Sequence, residues 1–326
     1  MAALVTLRYP ASMFDPAPTM MAIVKEGPTV RLARVPAPML SAPDDVVLRV
    51  AFAGICRTDL LVADGRLPSR DPVILGHELS GVVHEAGPRA GFTVGERVTV
   101  APLLPCGRCE RCRDGHSCSA PEMLGVARHG AFAELLCVPA SAVHRVPPRL
   151  PLRAAAYTEP VAAALAVLHA GIAPTDRGVV HGSGRIARLV HQVLVAHGFE
   201  HVELRDPAGS PLPRDAFDFA VETGGGTAAL AALVDAVRPG GRIVLKSRLP
   251  EPLGLDLLRI VPRELTLRAV HYGSFPAAIE LLASGRLALD EILGPARPLD
   301  DFERVLAEAR RSESAKLFFA VTPGLA

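Results

Sequence analysis

The chain has 326 residues, 49 % of them hydrophobic, with 35 basic and 34 acidic side chains and a net charge of +1. That length suggests two domains, each with material for its own core, and the balanced charge gives no footprint for nucleic acid or an anionic membrane. No apolar run approaches a membrane span, and the scarcity of lysine (only Lys25, Lys246 and Lys316) with no Trp reads as a composition bias.

The N-terminal stretch "MAALVTLRYPASMFDPAPTMM" has no basic region followed by a sustained apolar one, so it does not read as a signal peptide. Residues 1–20 read as an extension, and the cytoplasm is the default location. From residue 22 to about 150, short β-branched runs ("MAIV", "DVVLRVAFA", "LSGVVHEAG", "ERVTVAP", "FAELLCVPA") alternate with Pro and Gly turns. This pattern predicts a compact, barrel-like β unit. Near residue 151 the texture changes. "LRAAAYTEPVAAALAVLHAGI" reads as helix, and "RGVVHGSGRIARLVHQVLVAHGFEHVELRD" reads as strand, Gly-rich turn, helix, strand, with Ile186, Leu189, Val190 and Val193 on one helical face. A strand at "FDFAVE", a helix at "TAALAALVDAVR", a "PGG" turn and a strand at "RIVLKS" follow. Strand–helix alternation of this kind predicts a parallel, doubly wound sheet. Helices at "SFPAAIELLASG" and "LDDFERVLAEARR" and a strand at "AKLFFAV" close the chain.

Gly182-Ser183-Gly184-Arg185-Ile186-Ala187 lies between a predicted strand and a predicted helix. This is a G-x-G-x-x-A dinucleotide fingerprint: Gly182 for the tight turn, Gly184 for close approach of backbone N–H groups to a pyrophosphate, Ala187 for close helix–strand packing. Asp206 ends the next strand, where an acid receives adenosine ribose hydroxyls and points to NAD; Arg205 beside it leaves NADP open. Residues 207–217, with Pro207, Pro211 and Pro213, are too few and too broken to carry a helical crossover. One strand–helix unit of the usual six-stranded sheet is therefore expected to be missing.

Of six cysteines, four fall at Cys106, Cys109, Cys112 and Cys118. In a reducing compartment this C-x2-C-x2-C-x5-C spacing suits four thiolates around a tetrahedral zinc, a closed shell that holds a lobe together and does no chemistry. His116 is an alternative ligand there, and Cys137 reads as a buried strand cysteine. A catalytic zinc needs about three protein ligands and an open position. Cys56 in "GICRTDL", His77 and Glu78 in "LGHELSGVV", and Glu159 in "TEPVAAALAVLH" offer donors, each ambiguous alone.

Together with "VGERV", "CGRCERC", "GSGRIA", "RPGGRIVL" and "LLASGRL", in this order, these motifs make the chain resemble the zinc-dependent medium-chain dehydrogenases, the alcohol, polyol and threonine dehydrogenase group, as a short variant. The resemblance runs from about residue 21 to the end. It implies an α/β architecture: a β-rich GroES-like catalytic domain over residues 1–155, a Rossmann cofactor domain over 156–290, and a return to the first domain over 291–326. It implies zinc and NAD or NADP as cofactors, a small-molecule alcohol or carbonyl as substrate, and a homo-oligomer, dimer or tetramer. Residue by residue, it implies that Cys56, His77 and Glu159 ligate catalytic zinc, with Glu78 binding directly or standing behind. Thr58 then accepts the alcohol's proton, Asp59 orients the ligating histidine, and Arg57 lies near the cofactor pyrophosphate. The fingerprint residues Gly182 to Ile186, Asp206 and Lys246 fall on the cofactor side. An alcohol resists deprotonation at neutral pH, and zinc lowers that barrier as it does for water.

Three positions depart from the family. Leu61 stands where many relatives carry a histidine that ends a proton relay, the last spacing of the four-cysteine loop is x5 where x7 is expected, and Lys246-Ser247 replaces small residues near the nicotinamide, which reads either as a surface lysine past a strand end or as a change suited to an anionic substrate. Zinc-free enoyl or quinone reduction on the same fold, and cofactor binding without catalysis, are the alternative readings.

Overall fold

A computed structural model describes residues 18–114, 118–248, 252–311 and 314–325. Most of the expected N-terminal extension, and His116, lie outside them.

The N-terminal part is β-rich. Strands β1 (Thr19–Glu26) and β2 (Thr29–Pro36) pair antiparallel, and β3 (Asp45–Gly54) leads into the short helix α1 (Arg57–Ala63). Strand β4 (Val73–Ile74) joins β1, β5 (Glu78–Ala86) pairs with β3, and β6 (Arg97–Val100) pairs with β5. Strands β7 (Leu103–Leu104) and β8 (Glu122–Met123) form a small ribbon around the cysteine lobe, which carries α2 (Glu110–Arg113). Strands β9 (Leu135–Pro139) and β10 (Val143–Arg145) pair with β3 and β6. β3 is apolar on both faces because it is central to this sheet, and eight of its positions from Val46 to Gly54 are buried.

Helices α3 (Leu152–Ala155) and α4 (Thr158–Leu165) lead into the second part. The expected single helix there is broken at Ala156–Tyr157, where the Tyr157 ring is fully buried. Strand β11 (Gly178–His181), helix α5 (Arg185–Ala196) and strand β12 (Val202–Arg205) follow the predicted order, and Leu189, Val190 and Val193 are buried as the periodicity requires. Then come β13 (Phe217–Glu222), α6 (Gly226–Ala236), β14 (Val237–Leu245), α7 (Leu257–Ile260), β15 (Thr266–Ala269) and α8 (Phe275–Ala283). The sheet is parallel, in the order β12-β11-β13-β14-β15. This is the six-stranded order 3-2-1-4-5-6 with its third strand removed. Residues 206–216, which would carry that unit, contain neither helix nor strand.

The chain then returns to the first sheet through β16 (Leu293–Arg297), α9 (Phe302–Arg311) and β17 (Lys316–Ala320). β17 runs antiparallel to β3, with Phe318 opposite Gly54 and Phe319 opposite Ala53. This register sets Lys316 beside the end of β3, at the mouth of the site. The return is anchored by packing: Phe319 is fully buried and meets the Phe132 ring edge-on at 4.9 Å. Truncating such a phenylalanine to alanine costs about 3–5 kcal/mol.

Candidate active site

The site starts where β3 runs out. Cys56 caps α1, and its backbone N–H donates to Asp59 Oδ2 at 2.8 Å. A carboxylate in the first helical turn satisfies an orphan N–H and suits the helix dipole. The same carboxylate does more. Its Oδ1 accepts from the Gly76 N–H at 3.2 Å and lies 3.0 Å from His77 Nδ1. Asp59 and His77 are both buried, so this single carboxylate fixes the Cys56 backbone, the turn before β5 and the plane of the imidazole together. Burial pulls the His77 proton off, but Asp59 and Cys56 outweigh it and hold the imidazole well above its ordinary range. Among the described residues, His77 Nε2 is buried without a hydrogen-bond partner, with the Cys56 thiol near it. Donor atoms of Cys56, His77 and Glu78 all lie within 4.8 Å of one another. One thiol, one imidazole and one carboxylate, with an orphaned ring nitrogen among them, fit a zinc ion.

Glu78 also pairs with Lys316, and both side chains are fully buried. Gly54 makes room for this pair: a Cβ there would come within 2.7 Å of Glu78 Oε2 and 2.8 Å of Lys316 Cε. Glu159, at the start of α4, is not in the three-donor group. Its carboxylate accepts from the Tyr272 hydroxyl, and burial, then the nearby Glu78, raise its pKa. The donors closest together are thus Cys56, His77 and Glu78, whereas the family resemblance put Glu159 in the third place. Thr58 Oγ1 is 3.9 Å from Cys56 Sγ and 3.4 Å from Arg248 Nη2.

A cleft of about 790 Å3 joins this group to the fingerprint. Cys56, Arg57, Thr58, Leu61, Glu78 and Glu159 line it together with Gly182, Ser183, Gly184, Arg185, Ile186 and Asp206, and with Lys246 and Ser247. Gly182 follows β11 directly and passes so close to Thr223 that a Cβ would meet its Oγ1 at 2.0 Å. Thr223 Oγ1 in turn donates to the His181 carbonyl, locking the turn to the end of β13. This is the position between β11 and β13 where the strand order reverses, the usual place for a ligand in an open α/β sheet. Asp206 lines the cleft, but Arg205 does not; its guanidinium is turned to Glu203, 2.7 Å away.

The four cysteines of the lobe also converge. Their sulfurs lie within 4.8 Å of one another, Cys106 and Cys112 at 3.9 Å and Cys109 and Cys118 at 4.0 Å. Four thiolates about 2.3 Å from a tetrahedral ion would stand about 3.8 Å apart, so the x5 spacing still allows a metal-sized cage. Backbone N–H groups of Ser119 and Cys112 bring the Cys109 thiol down to about 5, while Cys112, crowded by Cys109, rises to about 12. Cys137 stands apart on β9. It is half-buried rather than buried, and desolvation pushes its thiol up to about 11.

Residues 42–148 match the alcohol dehydrogenase GroES-like domain family. The chain is 31 % identical to 2-dehydro-3-deoxy-L-galactonate 5-dehydrogenase of Pseudoalteromonas atlantica, over 81 % of this chain and 87 % of that protein. It is 32 % identical to a protein of Mycobacterium tuberculosis assigned as a zinc-binding alcohol dehydrogenase, over 93 % and 89 %. The chain belongs to the zinc-binding medium-chain alcohol and polyol dehydrogenases. Among solved structures, this dehydrogenase superposes on a protein of Sinorhizobium meliloti 1021, described as a zinc-binding dehydrogenase and bound to NADP, with TM-score 0.85 and 27 % identity over 93 % of this chain and 99 % of that one. The alcohol dehydrogenase of Thermus sp. ATN1 gives 0.81 and 28 % over 93 % and 100 %.

Three residues at the cleft escaped the sequence reading: Lys316, Tyr272 and Arg248. Lys316 left a signal, being one of only three lysines and sitting in an otherwise apolar strand. Tyr272 and Arg248 left none, because what they face is set by tertiary packing.

Proposed function

We propose that this dehydrogenase is a zinc-dependent, NAD- or NADP-linked enzyme that interconverts a secondary alcohol, polyol or amino alcohol with its carbonyl. One observation carries the reading: Cys56 and Glu78, grouped with the buried His77, line the same cleft as the Gly182 fingerprint. Zinc held by Cys56, His77 and Glu78 or Glu159 would lower the pKa of a bound alcohol and polarise a bound carbonyl. Asp59 keeps His77 Nδ1 engaged, so Nε2 is the nitrogen left for a metal. The fingerprint backbone and Asp206 would hold and orient a dinucleotide, with Arg57 and Arg185 as the cations available to its pyrophosphate. Thr58 Oγ1 accepts the alcohol's proton. Leu61 lines the cleft in place of a relay histidine, so a relay from this chain's own residues would end at Thr58, with the proton passing to a bound cofactor's ribose hydroxyls or leaving by another route. Because Arg205 is occupied by Glu203 while Asp206 faces the cleft, NAD is the expected cofactor.

The test is a panel of secondary alcohols, polyols and amino alcohols, with NADH and NADPH followed by absorbance, on protein of measured zinc content. Turnover with NAD that disappears in Cys56→Ser supports the reading. Zinc-loaded protein that oxidises no member of the panel and reduces no matching carbonyl contradicts it.

A further inference from the structure

The turn after β14 puts two cations, Lys246 and Arg248, in the lining of the cleft; the resemblance gives Lys246 only a cofactor-side place, and the proposed reaction gives Arg248 no role. Lys246 is the first residue past the strand. Its Nζ donates to the His271 carbonyl at 2.7 Å, and it is half-buried. Arg248, two residues on, points across the cleft: one Nη reaches Thr58 Oγ1 at 3.4 Å and the other lies 3.4 Å from His271 Nε2. Both side chains line the cleft.

The carboxylates around them are already engaged. Glu222 accepts from Ser247, Glu159 from Tyr272, Glu78 is paired with Lys316, and Asp59 serves His77. Among the described residues, neither Lys246 nor Arg248 is in an ion pair. Placing an ammonium in a partly desolvated position is costly, and burial draws Lys246 down to about 8 against the opposing pull of Glu159. His271 offers no compensating charge: burial, then Arg248, takes its pKa to about 4. Leu61, Leu67, Met123 and Val126 add apolar surface to the same cleft. A substrate there meets this hydrocarbon together with two cations that, among the described residues, stand outside any ion pair.

We propose that the substrate carries an anionic group, a carboxylate or a phosphate, held by Lys246 and Arg248. This rests on the dehydrogenase reading above and narrows it. A guanidinium fork suits either group, because both offer two oxygens in one plane. Arg248 is in reach of Thr58, the proton acceptor, so the charged group stands only a few bonds from the carbinol carbon. The class is therefore short hydroxy acids or hydroxyalkyl phosphates.

The test uses the full-length, zinc-loaded enzyme and matched pairs: D-gluconate against D-glucitol, and glycerol 1-phosphate against glycerol. Wild type is expected to favour the anionic member of one pair by about 10–100-fold in kcat/KM, the size of a charge-assisted contact. The pair that responds separates carboxylate from phosphate. Arg248→Ala should erase most of that preference, both rates being measured in the variant itself, without raising the KM for the dinucleotide, and Arg248→Lys should restore part of it; Lys246→Ala should weaken binding of the anionic member in the NADH-saturated enzyme. Equal rates within both pairs, or a lost preference that travels with a raised dinucleotide KM, overturns the proposal. A second measurement separates it from the dehydrogenase reading. In the NADH-saturated enzyme, where the pyrophosphate site is filled and no alcohol can be oxidised, glycerol 1-phosphate binding is followed by 31P line broadening and gluconate binding by calorimetry. Binding of either that weakens in Arg248→Ala supports the anion site even where no pair turns over, and the dehydrogenase reading alone then fails. Binding of neither, with no preference, sinks the anion site.

Discussion

Cys56 and His77 stand in a buried frame that exists before any metal arrives: Asp59 holds the cysteine's backbone and the imidazole at once, and Lys316 holds Glu78. Among the described residues, the cysteines of the 106–118 lobe have no such frame. They are partly exposed, as Cys56 is, but their sulfurs are tied to one another and to N–H groups of their own loop. On the proposed function, the contrast separates two uses of one metal. Where chemistry is done, the fold positions the ligands and pays for doing so with buried polar groups. Where the metal only fastens a lobe, it organises the ligands itself, and its binding energy is folding energy.

The sharpest way to break this contrast is to remove a donor from the framed site. His77→Ala is expected to cost on the order of 10^3-fold in kcat/KM, since a metal supplies several kcal/mol of transition-state stabilisation and each 1.4 kcal/mol is tenfold. Circular dichroism should show the fold unchanged. Asp59→Asn keeps the size of the brace and removes its charge, and activity or zinc affinity should fall about 10–100-fold. A full-rate Asp59→Asn enzyme would mean the frame does not matter.

A smaller effect comes from pH. Lys246 carries its charge below about 8, where burial has brought it, with Glu159 opposing that shift and Arg248 and His271 close by. Affinity for an anionic substrate should therefore be full below about 8 and decline as pH rises through it, while a neutral alcohol shows no such decline. Leu61→His should raise the oxidation rate a few-fold below neutral pH by giving the proton a way out; an unchanged pH–rate profile would contradict a relay truncated at Thr58. The least effect on turnover is expected from Cys109→Ser. It should lower Tm, by about 2–4 °C for each kcal/mol of stability lost, and leave kcat/KM nearly intact.

Much of this was written in local sequence. The strand runs, the fingerprint and the cysteine spacing are short-range patterns, and they placed β11, α5 and the four converging sulfurs. Even the missing strand–helix unit was legible, because residues 207–217 are too few and too proline-rich for a crossover. What was not legible depends on register and packing. Lys316 meets Glu78 only because β17 pairs with β3 in one register. The grouping of Glu78 rather than Glu159 with Cys56 and His77 depends on how α4 packs over β5, and the Arg248 contact with Thr58 spans 190 residues.

The central claim is that two metal sites share this chain and only the framed one is catalytic. Zinc content and turnover measured together on wild type, His77→Ala and Cys109→Ser test it directly. The expected result is two zinc per chain in wild type and one in each variant, with activity lost in His77→Ala alone. Equal loss of activity in both variants, or a wild type that turns over without zinc, would contradict it.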